Sequence, residues 1–321
     1  MRLAMPGFLI LHHEKEGTSH LWWLLNGTRG ISMVHQVDAR TDEPFDRYQT
    51  GGMPSRDILQ CLDIIFSGAR DQDRLNRIYS RNVGCGLGPI EANTIPGIKM
   101  RYRPPDERDR GTLLRFVERI PRFGPDLAAR LHLERHRYSE GLDPLLMRND
   151  CVVFYAVRQD IFRWALSLYH GDGTGKDGHL QFDIATGKRK RSEIPPIHVD
   201  PERLAGIIRY CRSTHTEKMQ LLKRMSERGI RVAPLLYEQL CEDPPGFLRY
   251  LFRCLGHAVS EAEIGEIIAT GSMYQKVHSH DISTFVTNHE EISAQFGREA
   301  VDFSQAYRDR YGDPPWPDPL A

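Results

Sequence analysis

The chain alternates short apolar runs with longer stretches in which apolar positions recur every three or four residues. The runs FLILHH (8–13), GIKMRY (97–102), CVVFYAV (151–157) and RVAPLLY (231–237) are short and apolar enough to predict strands buried on both faces. Helical spacing covers 18–27, 54–67, 111–119, 160–170, 200–228, 244–255 and 260–269. In the longest of these, Asp200 suits the cap, Pro201 the first helical position and Gly229 the stop. Strands alternating with helices predict an α/β fold built on a parallel central sheet. Residues 171–198 read as a Gly-, Lys- and Pro-rich loop, the tail YGDPPWPDPLA is too proline-rich for regular structure, and no internal repeat is found.

With 321 residues and 40% hydrophobic content the chain can bury a large core, and a single domain over 1–300 followed by a tail at 301–321 is the expectation. Lys+Arg and Asp+Glu are both 43, which removes the long-range field of a nucleic-acid or anionic-membrane binder and favours a small or neutral partner. The six cysteines include no CxxC pair and no tight cluster, so buried reduced thiols are expected rather than a zinc site or a disulfide framework. The first apolar run is too short for a signal segment, and none reaches membrane-spanning length. A cytoplasmic protein with no transmembrane segment is the expectation, with oligomeric state, homo-oligomers included, left open.

The chemistry begins at FLILHHEKEGTSHLWWLLN (8–26), where a strand breaks into a charged Gly-containing loop and a helix follows. Such a junction aims backbone N–H groups and the positive end of the helix dipole at an anion. A nucleoside-triphosphate loop would carry its lysine just after the second glycine. Here Thr18 holds that place and the lysine precedes the glycine as Lys15. The plain alternative is a strand-to-helix turn capped by Thr18 or Ser19. A second constellation, VVFYAVRQDIFRWALSLYH (152–170), puts Arg158 at a strand's end and Ser167 nine residues later in the next helix. A guanidinium fork with a serine hydroxyl suits a monophosphate; otherwise Arg158 pairs with Asp160 on a solvated face.

At these residues the chain resembles the sulfotransferases that use 3'-phosphoadenosine 5'-phosphosulfate. KEGTS (15–19) matches that family's [KR]xGT[ST] strand-loop-helix for the 5'-phosphosulfate, and Arg158 to Ser167 matches its R-x(8)-S element for the 3'-phosphate. LLYEQLCEDPPGFLRYLFRCLG (235–256) is similar to a third segment, with Tyr237, Glu238, Leu240, Asp243, Pro244, Leu248, Leu251 and Gly256 in register. The likeness implies a P-loop-like three-layer fold. It implies a donor site of Lys15, Glu16, Gly17, Thr18, Ser19, Arg158, Ser167 and Tyr237, with no metal. Within the family, bacterial carbohydrate-type members, the group that includes trehalose sulfotransferases, look nearest. The resemblance covers most of 8–256, and 276–297 looks like the family's C-terminal region. Residues 39–95 and 171–198 lie outside it and are expected to shape the acceptor pocket.

The resemblance implies transfer of a sulfuryl group to an acceptor hydroxyl on a carbohydrate, glycolipid or other small metabolite, with adenosine 3',5'-bisphosphate released. Lys15 and the N–H groups of Gly17, Thr18 and Ser19 would meet the charge growing on the departing phosphate. Lys99 is the second candidate cation, or else a solvated lysine at a strand edge. The base is less evident. Arg101 stands where some members carry a histidine, and Gln36 where carbohydrate-type members carry a glutamate. His35 is therefore the first candidate base, followed by Asp38 and Glu43. A P-loop kinase with a degenerate motif and a non-catalytic nucleotide-binding descendant are the alternatives. DGTGKDGHLQFD (172–183) fails as a calcium loop, because Lys and Asp stand where an oxygen ligand and a turn glycine are needed. GKRKR (187–191) reads as a solvated loop, and HLWWLL as a helix packing Trp22 or Trp23 into the core.

Overall fold

The computed structural model describes residues 7–13, 16–26, 28–37, 44–45, 53–67, 71–91, 93–101, 140–174, 190, 195–271 and 281–319. Lys15, Asp38, Glu43, the helix expected over 111–119, the calcium-like loop beyond 174 and all of GKRKR but Lys190 lie outside the described residues. Five strands form one parallel sheet flanked by helices: β1 (Phe8–His12), β2 (Ile31–Met33), β3 (Ile95–Arg101), β4 (Val152–Val157) and β5 (Arg231–Leu236), in the order β2-β3-β1-β4-β5. β1 and β4 are buried along their whole length, as uninterrupted apolar runs require in the middle of a sheet. Pro234 sits in β5, at the sheet's edge, where strands tolerate proline. β3 lies beside β1 with Ile10 opposite Lys99 and Leu11 opposite Met100.

The helices, in chain order, are α1 (Thr18–Asn26), α2 (Ser55–Phe66), α3 (Gln72–Val83), α4 (140–148), α5 (Ile161–Thr174), α6 (Pro201–Glu227), α7 (Tyr237–Glu242), α8 (Pro244–Leu255), α9 (Glu261–Gly271), α10 (His289–Phe296) and α11 (Phe303–Tyr311). Among the described residues no helix is long and apolar enough to cross a membrane. From β1 the chain turns toward the β2 side of the sheet, and from β4 toward the β5 side, so the direction of winding reverses between these neighbouring strands. Loops at the carboxyl ends of such a pair are where open α/β sheets receive ligands.

Backbone contacts divide the chain into two compact units, Met1–His12 with Thr28–Phe154 and Arg224–Ala233, and His13–Gly27 with Tyr155–Lys223 and Pro234–Ala321. In the first, α2 and α3 pack through Ile58, Cys61, Leu62, Leu75, Ile78 and Tyr79, all buried. Asp71 caps α3 by accepting from Arg74 N at 2.9 Å. The Gln72 side chain then holds the segment behind it, donating to the carbonyls of Leu87 and Gly88 and accepting from Ile90 N.

In the second unit α5 supplies Ile161, Phe162, Trp164 and Leu166 to a core completed by Leu204 of α6 and Phe285. α6 starts as its sequence dictates: Asp200 accepts from Glu202 N and Pro201 opens the helix. In α8, Asp243 accepts from Gly246 N at 2.9 Å, Pro244 takes the first turn, and Gly256 closes the helix in a left-handed conformation. The segment after residue 300, read as a tail, carries α11, with Phe303 and Tyr307 buried. It is stitched down by Val301 N to Gln159 O and Phe303 N to Gln159 Oε1, both at 2.9 Å. Beyond α11 residues 312–319 hold no regular structure, yet Trp316 is buried against Tyr307.

Candidate functional site

Two loops of the second unit, one following β1 and one following β4, carry Glu16, Gly17, Thr18, Ser19 and Arg158, and a corner following β5 joins them. In the first loop Gly17 has φ +75°, a conformation that side-chain-bearing residues rarely take. A Cβ placed there would stand 2.2 Å from the Tyr237 ring, so the loop lies flat on that ring only because residue 17 has no side chain. The Gly17 carbonyl accepts from Leu21 N at 3.3 Å, which makes Gly17 the cap of α1 and puts Thr18 and Ser19 in its first turn, one step inside the expected cap position. Thr18 is buried and Ser19 half-buried, and the N-terminal N–H groups of this nine-residue helix belong to the same turn. Of the tryptophan pair, Trp22 is buried and Trp23 is exposed.

Glu16 faces inward from this loop. Its carboxylate accepts from His13 N at 2.7 Å and from the Nζ of Lys218, and both charged side chains are fully buried. Lys218 Nζ also donates to the Ala156 carbonyl of β4 at 2.9 Å and lies over the rings of Trp164 and Tyr155, at 4.8 and 5.2 Å. Burial pulls the ammonium below its ordinary lysine range, and the Glu16 carboxylate opposes that pull. One turn earlier on α6, His215 stacks on Trp164 with ring centroids 5.4 Å apart. Burial, then the neighbouring Lys218 charge, push the imidazole down to about 3. Lys218 was not singled out from the sequence, although it occupies the buried stripe of Cys211, Thr214, His215 and Leu222 on α6. A lysine on such a stripe is the signal that could have found it.

In the second loop Arg158 Nη1 donates to Ser167 Oγ at 3.0 Å, and Ser167 Oγ donates in turn to the Arg163 carbonyl at 3.0 Å. Asp160 caps α5 through Arg163 N and lies 3.3 Å from Arg163 Nε. The Arg158 guanidinium rests on the Tyr237 ring, 4.8 Å from its centroid. One side chain therefore touches both loops. Burial raises the Tyr237 phenol above its ordinary range, with the Arg158 charge acting against it, so the hydroxyl stays protonated at neutral pH. The next residue holds the second loop's backbone: Glu238 accepts from Gln159 N at 2.9 Å and from Asp160 N at 3.1 Å. The YE dipeptide at the end of β5 thus seats the aromatic platform and staples the turn that presents Arg158.

His35 and Lys99 belong to the first unit. His35 Nδ1 lies 3.1 Å from the Met33 carbonyl, a hydrogen bond in the tautomer that carries its proton on Nδ1. The ring is seated on Gly88, where a Cβ would stand 2.5 Å from it, and Gly88 N donates to the His35 carbonyl. Gln36 turns the other way: it is buried and donates to Tyr79 Oη at 2.6 Å, while that phenol donates to the Pro44 carbonyl. Lys99 is completely buried in β3, which corrects the alternative of a solvated lysine at a strand edge.

Comparison with protein-family models finds no match, and comparison with curated proteins finds none at a significant level. Among solved structures, the sulfotransferase from Alicyclobacillus acidocaldarius matches over 97% of this chain and 97% of its own, at 13% identity and a TM-score of 0.35. Sulfotransferase STF9 from Mycobacterium avium matches over 97% of this chain and 78% of its own, at 10% identity and a TM-score of 0.38. Overlap this loose says nothing of donor, acceptor or catalytic residues.

Proposed function

We propose that the protein is a sulfotransferase that moves a sulfuryl group from 3'-phosphoadenosine 5'-phosphosulfate to a hydroxyl of a carbohydrate, glycolipid or other small metabolite. The observation that carries this reading is the Tyr237 platform, which brings the Gly17 turn and the Arg158–Ser167 pair against one ring. A donor with phosphate at both ends of one nucleoside asks for two such cups at short separation. Gly17, Thr18 and Ser19 offer backbone N–H groups at a helix N-terminus for the 5' end. Arg158, which donates to Ser167 Oγ, brings a guanidinium fork and a permanent charge suited to the 3'-phosphate. Glu16 serves the donor indirectly, by anchoring the loop through Lys218 and His13.

In the proposed reaction the S–O bond to the donor phosphate breaks while the acceptor oxygen bonds to sulfur, and the acceptor's proton goes to a base. Lys15 and the N–H groups of the turn meet the charge that develops on the leaving phosphate, with Lys99 as the second candidate cation. His35, through Nε2, is the proposed base. A cytoplasmic setting goes with this proposal, as do a small-molecule or glycan acceptor and a donor that needs no metal. One observation favours a second reading, a nucleotide-binding module without turnover: the side chain at 36 is an amide committed to Tyr79.

Calorimetric titration of the full chain with adenosine 3',5'-bisphosphate, and separately with ATP and Mg²⁺, tests the donor assignment. The expected result is saturable bisphosphate binding that weakens about tenfold in Ser167→Ala and more in Arg158→Ala, from the loss of charge-assisted hydrogen bonds. Binding of ATP with Mg²⁺ and none of the bisphosphate would overturn it in favour of a kinase. A sulfate-transfer screen over sugar, glycolipid and small-metabolite alcohols then separates enzyme from module.

A further inference from the structure

On α3, Arg74, Arg77 and Arg81 fall on one face, and on α2, Arg56 and Gln60 stand one turn apart. These side chains, with Asp57 and Ile78, line an open groove of about 320 Å³ within the first unit. Four arginines against one aspartate leave a formal surplus of three positive charges in a chain whose total charge is zero. The aspartate is already engaged: Asp57 Oδ2 accepts from Arg81 Nη2 and from Asn82 Nδ2, both at 2.9 Å. Among the described residues no carboxylate pairs with Arg56, Arg74 or Arg77. Asp73 stands at the i, i+4 position before Arg77, where helix pairs ordinarily form, and does not pair with it.

Like charges gathered in a concave wall oppose one another, and the groove focuses their field outward onto whatever anion enters. All four cations are arginines, whose flat forks grip two oxygens of one phosphate or sulfate, where a lysine would offer a point charge. Gln60 adds a neutral donor on the same wall, and the Arg81–Asp57 pair braces α3 against α2.

We propose that the α2–α3 groove is a binding site for a multivalent oxyanion, a ligand bearing phosphate or sulfate esters. The groove and the donor loops belong to different units, so this assignment does not depend on the sulfotransferase reading. The probe is inorganic pyrophosphate, titrated into the full chain at constant ionic strength, with chloride as the blank. Because pyrophosphate can also enter the proposed donor cup, the titration is repeated in Arg158→Ala. Saturable binding is expected in both proteins, stronger for pyrophosphate than for orthophosphate and weaker as salt rises. Added to Arg158→Ala, the pair Arg74→Gln/Arg77→Gln should lower it at least about tenfold, with an unchanged melting temperature. Arg56→Gln, on the facing helix, gives a second loss should the double variant not fold. Flotation with phosphatidylcholine vesicles, with and without phosphatidic acid, identifies the source. Capture that depends on Arg74 and Arg77 assigns a lipid headgroup, and pyrophosphate binding without capture assigns a soluble ester. No saturable binding in Arg158→Ala, or equal affinity after Arg74→Gln/Arg77→Gln is added to it, overturns the proposal.

Discussion

The Glu16–Lys218 pair makes a quantitative demand. Both side chains are completely buried, so neither charge can turn to water when the other is removed. In Lys218→Met the carboxylate keeps the His13 N–H but loses its counter-charge, and the Ala156 carbonyl loses a donor. Breaking a buried pair from one side costs about 3–5 kcal/mol, and the two aromatic contacts of the ammonium add to it. Removing both charges is a different perturbation. An amide in Glu16→Gln still accepts from His13 N, and a thioether fills the space between Tyr155 and Trp164. The double variant Glu16→Gln/Lys218→Met should therefore be more stable than the single Lys218→Met, with a coupling of about 2 kcal/mol or more between the sites. Urea denaturation at pH 7 of the wild type, both single variants and the double variant closes the cycle. Effects that add to within about 0.5 kcal/mol, or a Lys218→Met that costs under about 1 kcal/mol, would refute the view that this pair holds the Gly17 loop in place.

Four further outcomes follow from the same geometry. Gly17→Ala meets both a positive φ and a ring 2.2 Å away, and should lose adenosine 3',5'-bisphosphate binding by calorimetry while Gly265→Ala, in open space on α9, keeps it. His215 is held near 3 in the folded chain against 6.5 unfolded, so between these values the unfolded chain carries the extra proton and stability falls as pH is lowered. In His215→Phe the stability difference between pH 7 and pH 4, from urea midpoints, should shrink by about 3 kcal/mol. Burial pushes the thiols of Cys61, Cys151 and Cys211 up to about 12, so in the native protein a maleimide at pH 8 should label Cys85, Cys241 and Cys254 first, as peptide mapping would show. His35→Ala should cut sulfate transfer at saturating donor by about a hundredfold or more while leaving bisphosphate affinity intact; near-normal turnover would remove it as the base.

The elements that the sequence made legible are those whose burial is complete. β1, β4 and β5 fall within a residue or so of the apolar runs that announce them, and α8 within its Asp-Pro start and Gly stop. β2 is three residues long, too short for any run to show. α3 was hidden because only Leu75, Ile78 and Tyr79 of its twelve residues face inward, amid arginines and amides. α11 was overshadowed by the prolines that follow it, although Phe303 and Tyr307 already marked one helical face. Gly17, Arg158 and Ser167 stood out in the sequence because a glycine follows one buried strand, and an arginine and a serine nine residues apart follow another. What holds those loops did not. Glu16 and Lys218 are 202 residues apart, and Gln159 and Glu238 meet only because β4 and β5 end side by side.

The phenol ring at 237 has one more implication. A backbone turn and a guanidinium both rest against it, so the spacing of the two loops is set across one rigid aromatic body. If the two loops grip one anion each, as proposed, a ligand is gauged by the interval between its charged ends, and one whose phosphates are strung consecutively from a single carbon would leave one loop empty, whatever its total charge.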